Sequence, residues 1–295
     1  MSSPATSPFR CVLDARAMLG EGPVWSTREQ VLYWVDINAP TLNRFDPRSG
    51  RNTLMAMPES IGCFALRRSE GFVVALRGGI WLARSDGTLE RKLAEAPYDP
   101  RTHRFNDGRC DPRGRFFPGS MNEARDGPSA ALYRLEADNR LTQIVDHATI
   151  SNGLAWSPDG RTMYHADTPV RTIRAFDYDL ATGTPSKPRV FHRFAGDTER
   201  PDGAAVDSEG NYWSALYDGG KVVKIAPSGE VVAHFAVPAM CPTMCAFGGA
   251  DLRTLYVTTA RQRRSAEELA RLPQSGGLFA MPVDVPGMPE PFFAG

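Results

Sequence analysis

Six stretches of this chain repeat one short pattern: an apolar strand, a polar turn carrying Gly or Asp, then a strand rich in aromatic or β-branched residues. LAWSPDGRTMYHAD from Leu154, AAVDSEGNYWSAL from Ala204 and GRCDPRGRFFPGS from Gly108 match one another. So do GPVWSTREQVLYWVD from Gly22, CFALRRSEGFVVAL from Cys63 and CAFGGADLRTLYVTTA from Cys245. Several units run on into a third strand, as in TLNRFDPRSG, TIRAFDYDLATG and KVVKIAPSGE. Their starts at 22, 63, 108, 154, 204 and 245 are separated by 41, 45, 46, 50 and 41 residues. A period of roughly 40 to 50 residues with about four strands per unit predicts an all-β fold, a six-bladed β-propeller. Six units occupy residues 1–295 as a single domain, with 1–10 expected as a flexible tail. A large β-sandwich would not require its units to resemble one another.

The 295 residues, 42% of them hydrophobic, suffice for a core without disulfides or metal, since a chain of this size buries roughly 75% of its unfolded surface. Lys+Arg 34 against Asp+Glu 34 removes the electrostatic case for nucleic acid or an anionic membrane as partner. No apolar run is long enough to span a bilayer, and MSSPATSPFR has neither the basic leader nor the apolar stretch of a signal peptide. A cytoplasmic protein is expected. The five scattered cysteines read as free thiols, and Cys241 with Cys245 alone is a poor zinc signal. A closed ring needs no partner, so a monomer is expected. Trp25, Trp34, Trp156 and Trp213 read as blade core. SAEELARL, from Ser265 to Leu272, reads as a helix with a Ser265/Glu268 capping box.

The chain has no G-x-S-x-G elbow, P-loop or H-E-x-x-H, and its five histidines lack metal-ligand spacing. The informative polar residues stand where the chain enters successive units: Glu21 in LGEGP, Asn106 and Asp107 in RFNDG, Asn152 in SNGLAWS, Asp202 in PDGAAVD. Equivalent positions of different blades converge on a propeller's axis. Their oxygens suit a divalent cation, and three protein ligands would leave positions open for water and substrate. The spacing alone reaches a cation at the mouth of a channel, with no chemistry specified.

LGEGPVWSTREQVLYWVDI, RFNDGRCDPRGRFFPGSM, SNGLAWSPDGRTMYHADT, RPDGAAVDSEGNYWSAL and CPTMCAFGGADLRTLYVTTAR together resemble the SMP-30/gluconolactonase/luciferin-regenerating enzyme family over about residues 19 to 261. GGLFAMPVDVPG carries the likeness to 287. The resemblance implies a metal-dependent lactonase acting on a small sugar lactone of gluconolactone, arabinonolactone or xylonolactone type. It implies Glu21, Asn152 and Asp202 as ligands of one divalent ion (calcium, zinc, manganese, magnesium or iron). Asp202 would also be the catalytic base, and Arg104 and Asn106 would contact substrate. Glu123 follows from a family segment G-T-M-A-E that reads GSMNE here from Gly119. Asn122 is the alternative contact there, and Pro118 stands where an ordinary strand residue is usual. The other readings are a non-catalytic calcium-binding or regulatory propeller, and a related esterase or phosphotriesterase.

Overall fold

A computed structural model describes residues 7–295. Each repeated unit closes on itself as an antiparallel four-stranded sheet, because its polar turns are short enough to return the chain beside the strand just made. Among the described residues there are six such sheets. The innermost strands are Gly20–Ser26, Ile61–Leu66, His103–Cys110, Ser151–Trp156, Arg200–Val206 and Cys241–Gly248, within six residues of the expected starts. We number the blades one to six in that order. The ring is the six-bladed β-propeller that the spacing predicts.

Closure uses the N-terminal segment. Arg10–Leu13 forms the outermost strand of blade six, with Arg10 opposite Ala280 and Cys11 opposite Phe279. Of the expected tail 1–10, residues 1–6 lie outside the described residues, whereas Ser7 donates to the Ala236 carbonyl at 2.6 Å and Phe9 is buried. Between blades the sheets pack face to face through aromatics. Trp25 stacks on Tyr256 at 5.7 Å, Phe117 meets Trp156 at 5.4 Å and Trp213 meets Phe247 edge-on at 5.8 Å. The four tryptophans expected in the core are buried, and all five cysteines are free. The C-terminal segment crosses the end of the ring where the inner strands finish: Gly287 bridges Asp207, Phe293 bridges Arg67, and Glu290 pairs with Arg109 at 3.0 Å.

One irregularity recurs in every inner strand. The register against the second strand shifts at Glu21/Val24, Ile61/Cys63, Phe105/Gly108, Asn152/Ala155, Pro201/Ala204 and Pro242/Met244. A bulge adds an unpaired residue and bends its strand. Here it falls at the sequence junctions carrying Glu21, Asn106, Asn152 and Asp202. Gly22 (φ +52°) and Gly153 (φ +60°) take the left-handed backbone that two of these bulges need, which a side chain would strain.

Pro118 is accommodated inside the strand Phe116–Asn122, opposite Gly108, while on the other side only Gly119 is in register with Leu132. Missing an N–H, proline loosens a ladder where it sits. The expected helix is Ala266–Arg271, with Ser265 accepting from the Glu268 N–H at 3.1 Å. The Glu268 carboxylate lies 3.5 Å from Arg264, the residue before the Ser265 cap, and pairs with that cation.

Candidate functional site

Where the inner strands begin, the ring opens into a cavity of about 460 Å³. Glu21 of blade one, Arg104 and Asn106 of blade three, Asn152 of blade four and Asp202 of blade five all line it, and all are buried. Residues up to 181 positions apart thus meet because each lies at or beside the register shift of its own blade's inner strand.

A hydrogen-bond chain runs across three blades. Arg104 Nη1 donates to Asn106 Oδ1 at 2.8 Å, and Asn106 Nδ2 donates to Asn152 Oδ1 at 2.7 Å. Asn152 Nδ2 donates to Thr168 Oγ1, and Thr168 Oγ1 to the Pro201 carbonyl, each at 2.7 Å. Every amide orientation in the chain is determined by its neighbour. The Asn106 amide hydrogens are both taken, the second by the Ser151 carbonyl at 3.1 Å. Asn106 therefore ties Arg104 to Asn152, while Arg104 leaves Nη2 without a described acceptor.

The carboxylates are arranged differently. Among the described residues Glu21 receives only the Gly22 N–H, at 3.1 Å. Its pKa is raised, first by burial and then by the charge of Asp107, with the Gly22 bond and Arg104 opposing. Asp202 is raised well above the usual range by burial, then by Glu21 and Asp107, with Arg104 and Arg125 opposing. No hydrogen bond is among those leading influences. Asp107, off the cavity wall, accepts from the Leu154 N–H at 3.2 Å and adds its charge to both. Burial also lowers Arg104, against Glu123 and Glu21. Two buried carboxylates that repel each other, beside an amide oxygen with a lone pair to spare, form a donor set suited to a hard divalent cation. The residues fit the group that the sequence implies.

Glu123 lies off the cavity wall. Its two oxygens accept from Arg77 at 2.8 and 2.9 Å, and it stands 3.8 Å from Arg104 Nε. Asn122 closes its own loop, donating to Asp126 Oδ1 at 2.7 Å and accepting from the Ala124 N–H at 3.0 Å. Thr168, Arg125, Arg171 and Arg200 also line the cavity. Thr168 and Arg200 stand at the ends of quoted motifs and Arg125 and Arg171 in connections between strands, where residue type alone does not mark a cavity wall. Their signal is topological: Arg125 and Arg171 both lie in the turn from second to third strand, in adjacent blades.

A family model described as SMP-30/Gluconolactonase/LRE-like region matches residues 19–261. The 6-deoxy-6-sulfogluconolactonase of Pseudomonas putida is 49% identical over 288 residues, covering 97% of this chain and 99% of that one. Regucalcin of Gallus gallus is 36% identical over 294 residues, covering 97% and 98%. Among solved structures, a calcium-binding protein, regucalcin, from Agrobacterium tumefaciens superposes with a TM-score of 0.92 at 30% identity, covering 96% of each chain.

Proposed function

The chain belongs to the SMP-30/gluconolactonase/LRE-like family, and on that premise we propose that it is a metal-dependent lactonase opening a sugar aldonolactone to its aldonic acid. The carrying observation is the meeting of Glu21, Asn152 and Asp202 with Arg104 in one cavity, from four different blades. The substrate is an aldonolactone of gluconolactone, arabinonolactone or xylonolactone type, and the name of the Pseudomonas putida relative adds a sulfonated gluconolactone. Glu21, Asn152 and Asp202 would hold the divalent ion. When bound, the ion supplies Lewis-acid polarisation of the lactone carbonyl.

Asp202, with no hydrogen bond among its leading influences, takes the proton of the attacking water as the new C–O bond forms. It returns that proton to the ring oxygen as the acyl C–O bond breaks. Arg104 is anchored through Nη1 to the Phe105 carbonyl and Asn106 Oδ1, each at 2.8 Å. That leaves Nη2 to orient the carbonyl or a ring hydroxyl. Asn106 positions both Arg104 and Asn152. Glu123 stands behind Arg104, and we assign it to the substrate side through that contact. The 295 residues act as one propeller domain, a monomer in the cytoplasm.

Proton release from a panel of γ- and δ-aldonolactones, an aryl ester and a phosphotriester tests this reading. Chelator-stripped protein is measured first, then protein restored with calcium, magnesium, manganese, zinc or ferrous iron, with spontaneous ring opening subtracted. Lactone turnover that appears only on restoration is the expected result. Tight metal binding without turnover would replace it with a calcium-binding propeller, the reading favoured by the likeness to the calcium-binding regucalcin of Agrobacterium tumefaciens.

A further inference from the structure

The cavity changes character from floor to rim. Its floor is acidic and buried, but its rim carries Arg125, Arg171 and Arg200 against one carboxylate, Asp197. Arg125 and Arg200 are exposed and Arg171 is half-buried. These arginines come from three consecutive blades, Arg125 and Arg171 from connections between strands and Arg200 from the first position of an inner strand, and their local counter-charges are weak or shared. Arg171 pairs with Asp197, whose side chain is 95% exposed, and such a pair contributes little in water. Arg200 reaches Asp218 at 2.9 Å, but Asp218 is also held by Arg264. Arg125 enters no ion pair among the described residues, and its charge is felt at Asp202. Asp126, its neighbour in sequence, is engaged by Asn122.

Clustered guanidinium groups facing a solvent-filled cavity focus positive potential there, and their planar forks match the oxygens of a tetrahedral oxyanion. A neutral sugar ring needs hydroxyl partners, not three cations. We propose that Arg125, Arg171 and Arg200 form an anion subsite selecting aldonolactones that carry a sulfonate or phosphate on the carbon farthest from the lactone carbonyl. This rests on the lactonase reading above. With the carbonyl at the Glu21/Asp202 floor, the substituent at the other end of the sugar faces the rim.

The test compares kcat/KM of the metal-loaded protein on 6-deoxy-6-sulfogluconolactone, 6-phosphogluconolactone and gluconolactone. The wild type prefers an anionic lactone, and the sulfonate and phosphate arms show which oxyanion fits. Arg125→Gln and Arg171→Gln each lower the ratio of anionic to neutral kcat/KM by about tenfold, through KM, as lost charge-assisted contacts do. Added salt lowers the wild-type ratio in the same direction, which reads the subsite even where a variant fails to fold. Equal use of neutral and anionic lactones by the wild type, or a ratio insensitive to both substitutions and salt, overturns the subsite while leaving the lactonase reading intact. If no lactone is turned over, calorimetric titration with 6-deoxy-6-sulfogluconate and gluconate decides. Arginine-dependent preference for the sulfonated acid keeps the subsite and rejects the lactonase reading, and no preference rejects both.

Discussion

Asp202 and Asp207 stand at the two ends of one segment, PDGAAVD, and the chain treats them in opposite ways. Asp207, fully buried, accepts from the Glu209 and Asn211 N–H groups at 3.1 and 2.9 Å, from Asn211 Nδ2 and from Trp213 Nε1 at 2.9 Å. Lys224 lies 3.5 Å away. Its donors lie within the next seventeen residues, so a local turn completes it. Asp202, 6% exposed, is surrounded by other carboxylates and by arginines from distant blades. A buried charge supplied with donors by its own fold is structural; one left in repulsive company is completed by something from outside. At the far end of the ring Arg109 is likewise paired from within the fold, with Glu290 at 3.0 Å and the Ala204 carbonyl at 2.6 Å, although these partners are distant in sequence.

The sharpest test of this contrast is the pair of substitutions at the two aspartates. Asp202→Asn is expected to lower lactone kcat by about a thousandfold or more, the scale of losing a general base. The metal-free variant melts at or above the wild-type temperature, because a repelled buried charge is gone. Near-normal turnover would reject the base role. Asp207→Ala does the reverse, costing about 3–5 kcal/mol in urea denaturation because it orphans several buried donors and a cation. A stable Asp207→Ala protein would break the distinction.

His165 sharpens it from the basic side. It is buried, its Nε2 is 2.8 Å from Ser151 Oγ, and burial, with Arg174, lowers its pKa from 6.5 to about 4. Between those values the unfolded chain binds a proton that the folded chain refuses. Its contribution is therefore complete above pH 6.5 and is lost as pH falls to about 4. Relative to His165→Gln, the wild type should lose roughly 3 kcal/mol of unfolding free energy across that window. Parallel pH profiles for the two proteins would contradict it. The smallest expected effect is at Thr168, where Thr168→Val removes the acceptor that orients Asn152. Calorimetry should show metal affinity weakened by about tenfold, the lower end of what outer partners of a ligand contribute, with the fold unchanged. Unaltered affinity would mean that Asn106 alone suffices to hold Asn152.

The blade count, the inner-strand positions and the polar junction residues were legible in the sequence because they are local facts. A strand–turn–strand unit announces itself by apolar alternation and turn residues, and repetition multiplies that signal. Glu21, Asn152 and Asp202 were legible for the same reason, being equivalent places in a repeat. Glu123 shows where this stops: the family segment implies a substrate contact, but Arg77, forty-six residues earlier, occupies both its oxygens.

What tertiary structure alone decided depends on ring closure and on loops. The recurring bulge sets which way each junction residue faces. The chain from Arg104 to Pro201 exists only when blades three, four and five are adjacent. The arginines of the rim are three among 30 in the chain, and nothing in the residues around each one separates it from solvated neighbours. Periodicity reports what a segment does with its own neighbours. Convergence on an axis is a property of six segments together, and it appears only once Arg10–Leu13 has closed the sixth blade.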